Sequence, residues 1–200
     1  MSEHWDAIFA QKSNDELSWY QKEPTTSLEI LTRWCRPDDA IIDIGAGSVG
    51  LAEHLIERRW RDVTLLDISR EALDIAAKRL GSNATKVSYE IADIREWSPT
   101  RRYRVWHDRA VFHFLISAEE QRDYVLTAAR ALDLGAVLIV ATFSPSGPTH
   151  CSGLPIVQHD SASITALFNA EFDLIDSRDE MHTTPFESTQ SFTWSVLRRR

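Results

Sequence analysis

Residues 41–50 read IIDIGAGSVG. The apolar run AIIDI (40–44) breaks at Gly45, and Gly47 and Gly50 follow. A short apolar run closed by a turn signal reads as a buried strand. Glycines after it let the backbone turn tightly and approach a ligand. The helical pattern from Leu51 to Arg59 would present free first-turn N–H groups at the same place. The next strand, VTLLD (63–67), ends on Asp67, 20 residues after Gly47. A carboxylate there can accept two hydrogen bonds from a ribose diol. Loop, distance and acid together are far more specific than the loop alone.

Outward from this stretch the pattern repeats. Arg70–Leu80 carries helical spacing and closes at Gly81. VSYEI (87–91) and RVWHD (104–108) read as strands, and Ser117-Ala-Glu-Glu120 is a capping box opening a helix to about Leu132. AVLIVATF (136–143) is the most hydrophobic strand and so is expected to be a central one. Ser144–Pro155 reads as a loop, Ser161–Asn169 as a helix, and FDLIDSR (172–178) and QSFTWSVL (190–197) as two last strands. Strand and helix alternating five times predict an α/β, Rossmann-like, doubly wound sheet of seven strands. Only DEMHTTPFEST separates the last two strands, so they should pair antiparallel. Residues 1–35 lie outside the alternation and hold Trp5, Trp19, Tyr20 and Trp34; a helical lid segment is expected there, with residues 36–200 as one globular domain.

Composition bounds the function. A chain of 200 residues with 43% hydrophobic content fits one domain with a full core. No apolar run approaches the ~20 residues that span a bilayer, and MSEHWDAIFA lacks a basic start, so a cytoplasmic protein without a membrane partner is expected. Cys35 and Cys151 are too few for a disulfide scaffold. A net charge of -8 argues against a nucleic-acid partner and favours neutral or cationic substrates, lysine-bearing proteins included. Arg198–Arg200 reads as a solvated tail. The expected assembly is a monomer or homodimer.

The letters also satisfy G-x-G-x-x-G, the dinucleotide fingerprint, which makes an NAD-binding oxidoreductase the competing class. Three features oppose it: Asp43 two residues before the first glycine, no room for a separate substrate domain, and the antiparallel ending. Asp43-Ile-Gly-Ala-Gly47, Asp67 in LLDIS, Asp93 in IADI and Asp108-Arg109 after the fourth strand resemble the class I S-adenosylmethionine-dependent methyltransferases. The resemblance covers about residues 38–197; Leu134-Gly135-Ala136 departs from the family's proline-glycine-glycine turn. HWDAIFA, SWYQ, WHDRAVFHFL and CSGLP look like a bacterial subgroup similar to the lysine methyltransferases of citrate synthase and elongation factor. The Asp-Arg-Ala turn is also similar to thiopurine-type thiol methyltransferases.

The resemblance implies that Asp43, Gly45, Ala46 and Gly47 line the methionine part of S-adenosylmethionine. Asp67 would hold the ribose with Ile68 on the adenine, and Asp93 the adenine amine with Ile94 beside it. Methyl transfer is an in-line displacement whose leaving group departs neutral, so a base is needed only to expose the nucleophile's lone pair. A lysine, at a reference pKa of ~10.4, needs this more than a thiol at ~8.5. In VWHDRAVFHFL (105–115), Asp108 is therefore the expected orienting acid and His113 or His107 the base. Strand alternation allows only one of His107 and Asp108 to face the crevice, and His107 also reads as a core histidine. Arg109 could pair with Asp43 or with the cofactor carboxylate. Trp19, Tyr20, Arg109, Phe112 and Cys151 are the expected acceptor wall. No metal site is expected, since His107, Asp108 and His113 fit no common ligand spacing. The acceptor would be a protein lysine or a small molecule, a small thiol above all; a cofactor-binding module without activity is the remaining class.

Overall fold

The computed structural model describes residues 1–200 except Val49, and Asn14 by its backbone alone. Each apolar run read above as a strand is one: β1 (Ile41–Ile44), β2 (Val63–Asp67), β3 (Val87–Ile91), β4 (Tyr103–Arg109) and β5 (Leu132–Phe143). A two-stranded ribbon, β6 (His150–Cys151) and β7 (Leu154–Pro155), precedes the long hairpin of β8 (Phe172–Thr183) and β9 (Thr189–Arg199). The helices are α1 (Ser2–Gln11), α2 (Thr25–Trp34), α3 (Leu51–Glu57), α4 (Arg70–Leu80), α5 (Ala118–Ala131) and α6 (Ser161–Phe168). The main sheet has seven strands in the order β3-β2-β1-β4-β5-β9-β8. β1 to β5 are parallel to their neighbours, and β9 pairs antiparallel with both β5 and β8. The strand order reverses between β1 and β4, and ligands of such sheets bind beyond the strand ends at that switch.

Side-chain alternation splits the core into two layers. Ile41 and Val105 join Leu31, Leu55, Leu73 and Trp194 on one face. Ile42, Ile44 and Trp106 join Tyr124, Val125 and Phe168 on the other. Asp43 and His107 are register partners across β1 and β4 and point to the first face; Asp108, opposite Ile44, points to the second. This parity decides what each polar residue of β4 can reach. A third, smaller cluster seats α1 on α4 through Phe9, Leu17 and Ala72, with Trp5, Trp19 and Tyr20 packed around it.

The structure departs from the sequence expectation in four places. No helix joins β3 to β4, so strand and helix alternate four times and not five. The loop 144–155 contains the β6–β7 ribbon. Most of DEMHTTPFEST is strand, because β8 and β9 extend the hairpin until residues 184–188 alone turn it. Arg198–Arg200 is not a free tail: Arg198 and Arg199 lie in β9, Arg199 pairs with Glu171 at 2.8 Å and Arg200 with Asp173 at 2.6 Å. The capping box does form, Ser117 and Glu120 each bonding the other's backbone N–H.

Gly45 sits where β1 ends, at φ +63°, and a Cβ there would fall 2.1 Å from Val111 Cγ2. Gly153 has φ +79° with nothing within 4 Å of the same position. Gly45→Ala should therefore cost about 2–4 kcal/mol in urea unfolding, from backbone strain plus the clash. Gly153→Ala should cost only the strain, about 1–2 kcal/mol. Equal costs would show that Val111 is free to yield.

Candidate active site

The glycine loop is tied down by Asp67. Its Oδ2 accepts from Gly47 N and its Oδ1 from Ser69 N, both at 2.8 Å. Ser69 Oγ then caps α4 by accepting from Ala72 N, and donates to Asp6 Oδ1 of α1 at 2.5 Å. Burial pushes the Asp67 carboxyl up to about 6, against the lowering effect of its two amide donors. Asp93, after β3, is held by Arg95, whose Nε lies 3.0 Å and Nη2 2.5 Å from its carboxylate. Burial raises its pKa, but the Arg95 hydrogen bonds outweigh that and hold it below the ordinary range.

β4 delivers its charged residues to three environments. His107 donates and accepts inside the first face: Nδ1 lies 2.7 Å from Asp43 Oδ1 and Nε2 3.0 Å from Ser27 Oγ of α2. With the proton on Nδ1, that N–H donates to the Asp43 carboxylate and Nε2 accepts from Ser27 Oγ, so both nitrogens are engaged. Asp108, fully buried, accepts from Tyr124 Oη at 2.5 Å, Val111 N at 2.9 Å and Phe112 N at 3.1 Å. Trp106 Nε1 donates to the same Tyr124 oxygen. Burial drives Asp108 up to about 7 in spite of these donors.

Arg109 ends the strand. Its Nη1 donates to Trp19 O at 3.0 Å, and its Cζ stands 4.9 Å over the Phe192 ring. Nε and Nη2 are out of reach of solvent, and no described residue accepts from either. A buried charge without its counter-charge is costly, roughly 3–5 kcal/mol where a partner has been removed.

Two adjoining clefts open at the switch point. The larger encloses about 900 Å³, its mouth included, and is lined by Gly45, Gly47, Asp67, Ile68, Asp93 and Ile94 together with Trp19, Arg109 and Cys151. The smaller, about 520 Å³, is lined by Asp43, Ala46, His107, Ser27 and Gln21, and shares Trp19, Gly45, Gly47 and Arg109 with the first. All eight expected cofactor residues thus line one cleft or the other. Asp108, His113, Tyr20 and Phe112 line neither. Phe112 is buried against Tyr124, His159 and Phe168, and Tyr20 packs in the α1 cluster. His113 is fully buried in contact with Phe114 and Phe143; burial and the nearby His159 and Arg109 push its pKa down to about 3.

Several wall residues were not among the sequence candidates: Ser27, Val111, and the aromatic pair Trp5 and Phe9. Trp5 meets Trp19 at 6.0 Å and Phe114 at 5.4 Å edge to face. Unusual tryptophan content in residues 1–35 was the available signal; Ser27 and Val111 carried none.

The family model described as "Methyltransferase domain" matches residues 41–135. This match, together with the relatives and solved structures below, supports a class I S-adenosylmethionine-dependent methyltransferase. Among relatives of this methyltransferase, the mouse (Mus musculus) eEF1A lysine and N-terminal methyltransferase is 23% identical over 140 residues, 70% of this chain but 20% of that protein. The chain thus spans about a fifth of that relative's length. Malonyl-[acyl-carrier protein] O-methyltransferase 1 of Ilyobacter polytropus is 22% identical over 199 residues, covering 92% of this chain and 72% of its own. A structure solved in work on the conversion of a disulfide bond into a thioacetal group during echinomycin biosynthesis superposes at TM-score 0.79, with 18% identity over all of this chain and 93% of the other. The N-methyltransferase NodS of Bradyrhizobium japonicum, in complex with S-adenosyl-L-homocysteine, superposes at 0.71 with 12% identity over 98% of each. The fold is shared, and the family's cofactor is S-adenosylmethionine.

The buried groups of β4 and the turn after it set the acid behaviour of the fold. His113 is held neutral, so the unfolded chain binds a proton below pH ~6.5 that the folded chain refuses until about pH 3. Stability from this residue is complete above that window and lost as pH falls through it, at up to ~1.4 kcal/mol per pH unit. His113→Gln, which keeps an acceptor toward Phe143 N, should lower stability at pH 7 yet flatten the loss between pH 6 and 4. An unchanged slope would contradict a neutral buried ring. Asp108→Asn should cost about 1–3 kcal/mol of unfolding free energy, since an amide cannot serve all three donors.

Proposed function

We propose that the protein transfers a methyl group from S-adenosylmethionine to a nitrogen or sulfur nucleophile of a small molecule. The observation that carries this is the joining of the glycine loop, Asp67, Asp93 and the apolar pair Ile68 and Ile94 in one nucleoside-sized cleft. The residues fit the cofactor. Asp67 keeps lone pairs beyond its two amide donors for the ribose diol, and Ile68 and Ile94 give the adenine an apolar slot. Asp93 faces the amine side while Arg95 holds it ionised. The smaller cleft receives the amino-acid end, with Asp43 fixed there by His107 and Ser27.

When bound, the cofactor supplies a methyl group on a sulfonium sulfur that leaves as a neutral thioether. The chain's own work is to bind, orient and exclude water. Residues 1–35 serve as the lid: α1 lays Trp5 and Phe9 over the larger cleft, latched to α4 by Asp6 and Ser69. Among the described residues no free carboxylate or imidazole faces the acceptor end; Asp108 and His113 instead build the turn that carries Val111 and Phe112. An acceptor that reaches its reactive form unaided, a thiol or a weakly basic amine, suits such a wall better than a lysine ammonium beside Arg109. The eEF1A methyltransferase relative favours a protein lysine as the second reading.

Incubation with labelled S-adenosylmethionine and cell lysate, split into protein and small-molecule fractions, tests the proposal. Label in the small-molecule fraction is expected; label confined to protein lysines would favour the second reading. In calorimetry S-adenosylhomocysteine should bind and NAD(H) should not, and the reverse would reinstate the oxidoreductase. Asp67→Ala should weaken S-adenosylhomocysteine by roughly 1–3 kcal/mol, the cost of unpaired ribose hydroxyls; unchanged affinity would remove Asp67 from the cofactor site.

A further inference from the structure

We infer that the methyl acceptor carries an anionic group, a carboxylate or one of similar geometry, and that Arg109 is the residue that receives it. This rests on the methyltransferase reading above and goes further by assigning a charge to the acceptor. Arg109 stands where both clefts meet, at the carboxyl end of β4. One arm is fixed on Trp19 O and the face of the guanidinium lies on Phe192, so the side chain is held in place without a counter-ion. Its other donors, Nε and Nη2, form the adjacent pair that binds a carboxylate bidentately, and no described group of the chain satisfies them.

The acidic side chains around Arg109 are engaged elsewhere. Glu180, the carboxylate whose charge it feels most, accepts from Gln21 Nε2, Thr26 Oγ1 and Trp194 Nε1. Asp43 is bound to His107, and Asp67 to the glycine loop. The two idle donors of this buried guanidinium stabilise nothing in the fold, whereas they would select an anion, and the charge would repel an ammonium, at the acceptor end. Two carboxylates could in principle use it, the acceptor's and that of the cofactor's amino-acid end. The amino-acid end has its own polar wall in the smaller cleft, while Arg109 also lines the larger one, beside the neutral thiol of Cys151. The acceptor's anion is the one this arrangement favours.

Benzoate and benzamide, alike in shape and different in charge, are suitable probes, with benzylammonium as the cation. Each is titrated into protein saturated with S-adenosylhomocysteine while the fluorescence of the cleft tryptophans is followed. Benzoate should bind at least about tenfold more tightly than benzamide, and benzylammonium not at all. In Arg109→Met the benzoate preference should shrink to about twofold or less, with S-adenosylhomocysteine affinity held within about threefold. Arg109→Lys keeps the charge without the fork and should fall between, which preserves the test if Arg109→Met does not fold. Equal binding of benzoate and benzamide, or no benzoate binding, would overturn the inference. So would a tenfold loss of S-adenosylhomocysteine affinity in Arg109→Met, which would give the arginine to the cofactor. Failure of the parent to bind S-adenosylhomocysteine is a different result, and contradicts the methyltransferase reading itself.

Discussion

One buried carboxylate holds the ligand end of this protein together. Asp67 accepts from the glycine loop on one side and from the start of α4 on the other, so the loop after β1 cannot move independently of β2. Through Ser69 the same connection reaches Asp6, and with it the helix that roofs the cleft. The carboxylate is shielded from water, and burial raises the energy of its charged form until only the amide donors partly offset it. Such a group gains most from a ligand that donates to it, and a ribose diol is such a ligand. The positions of the glycine loop and of α1 are therefore coupled through one side chain, and on the proposed function so is the affinity for the cofactor.

The second constraint is the pleat of β4. Consecutive residues alternate faces, so Asp108 leaves the face of His107 and Arg109, which both line the smaller cleft. His107 goes to the α2 side to hold Asp43, and Asp108 to the α5 side, where Tyr124 and two amides take all its attention. Arg109, at the strand's end, is the one left facing the clefts with donors to spare. The polar residues in an otherwise apolar run are thereby explained individually: two are bonded inside the fold, and one is presented at its edge.

Much of this was legible beforehand. Strand and helix identity followed from period and punctuation, and the antiparallel end of the sheet from the shortness of its linker. The residues that line the two clefts followed because their spacing is tied to strand ends, and strand ends were readable. The acceptor side was harder. Asp108 was expected at the crevice because it ends a strand run, yet its parity, opposite Ile44, sends it to the second face, and the strand ends on Arg109 instead. His113 fell in a 3-10 turn, whose direction no periodicity foretells. Contacts between distant segments, such as Ser27 with His107 or Trp5 with Phe114, depend on how α1 and α2 dock, and that is set by packing and not by local pattern.

The central claim, that Asp67 anchors the cofactor's ribose from a buried and protonatable state, is tested most directly by calorimetry of S-adenosylhomocysteine binding across pH 5–8 in two buffers of different ionisation heat. The free carboxyl titrates near 6, and two ribose donors would favour its ionised form. Binding should release protons near pH 6, and affinity should fall as pH drops below that value. Affinity flat across the range, with no proton released, would contradict the account.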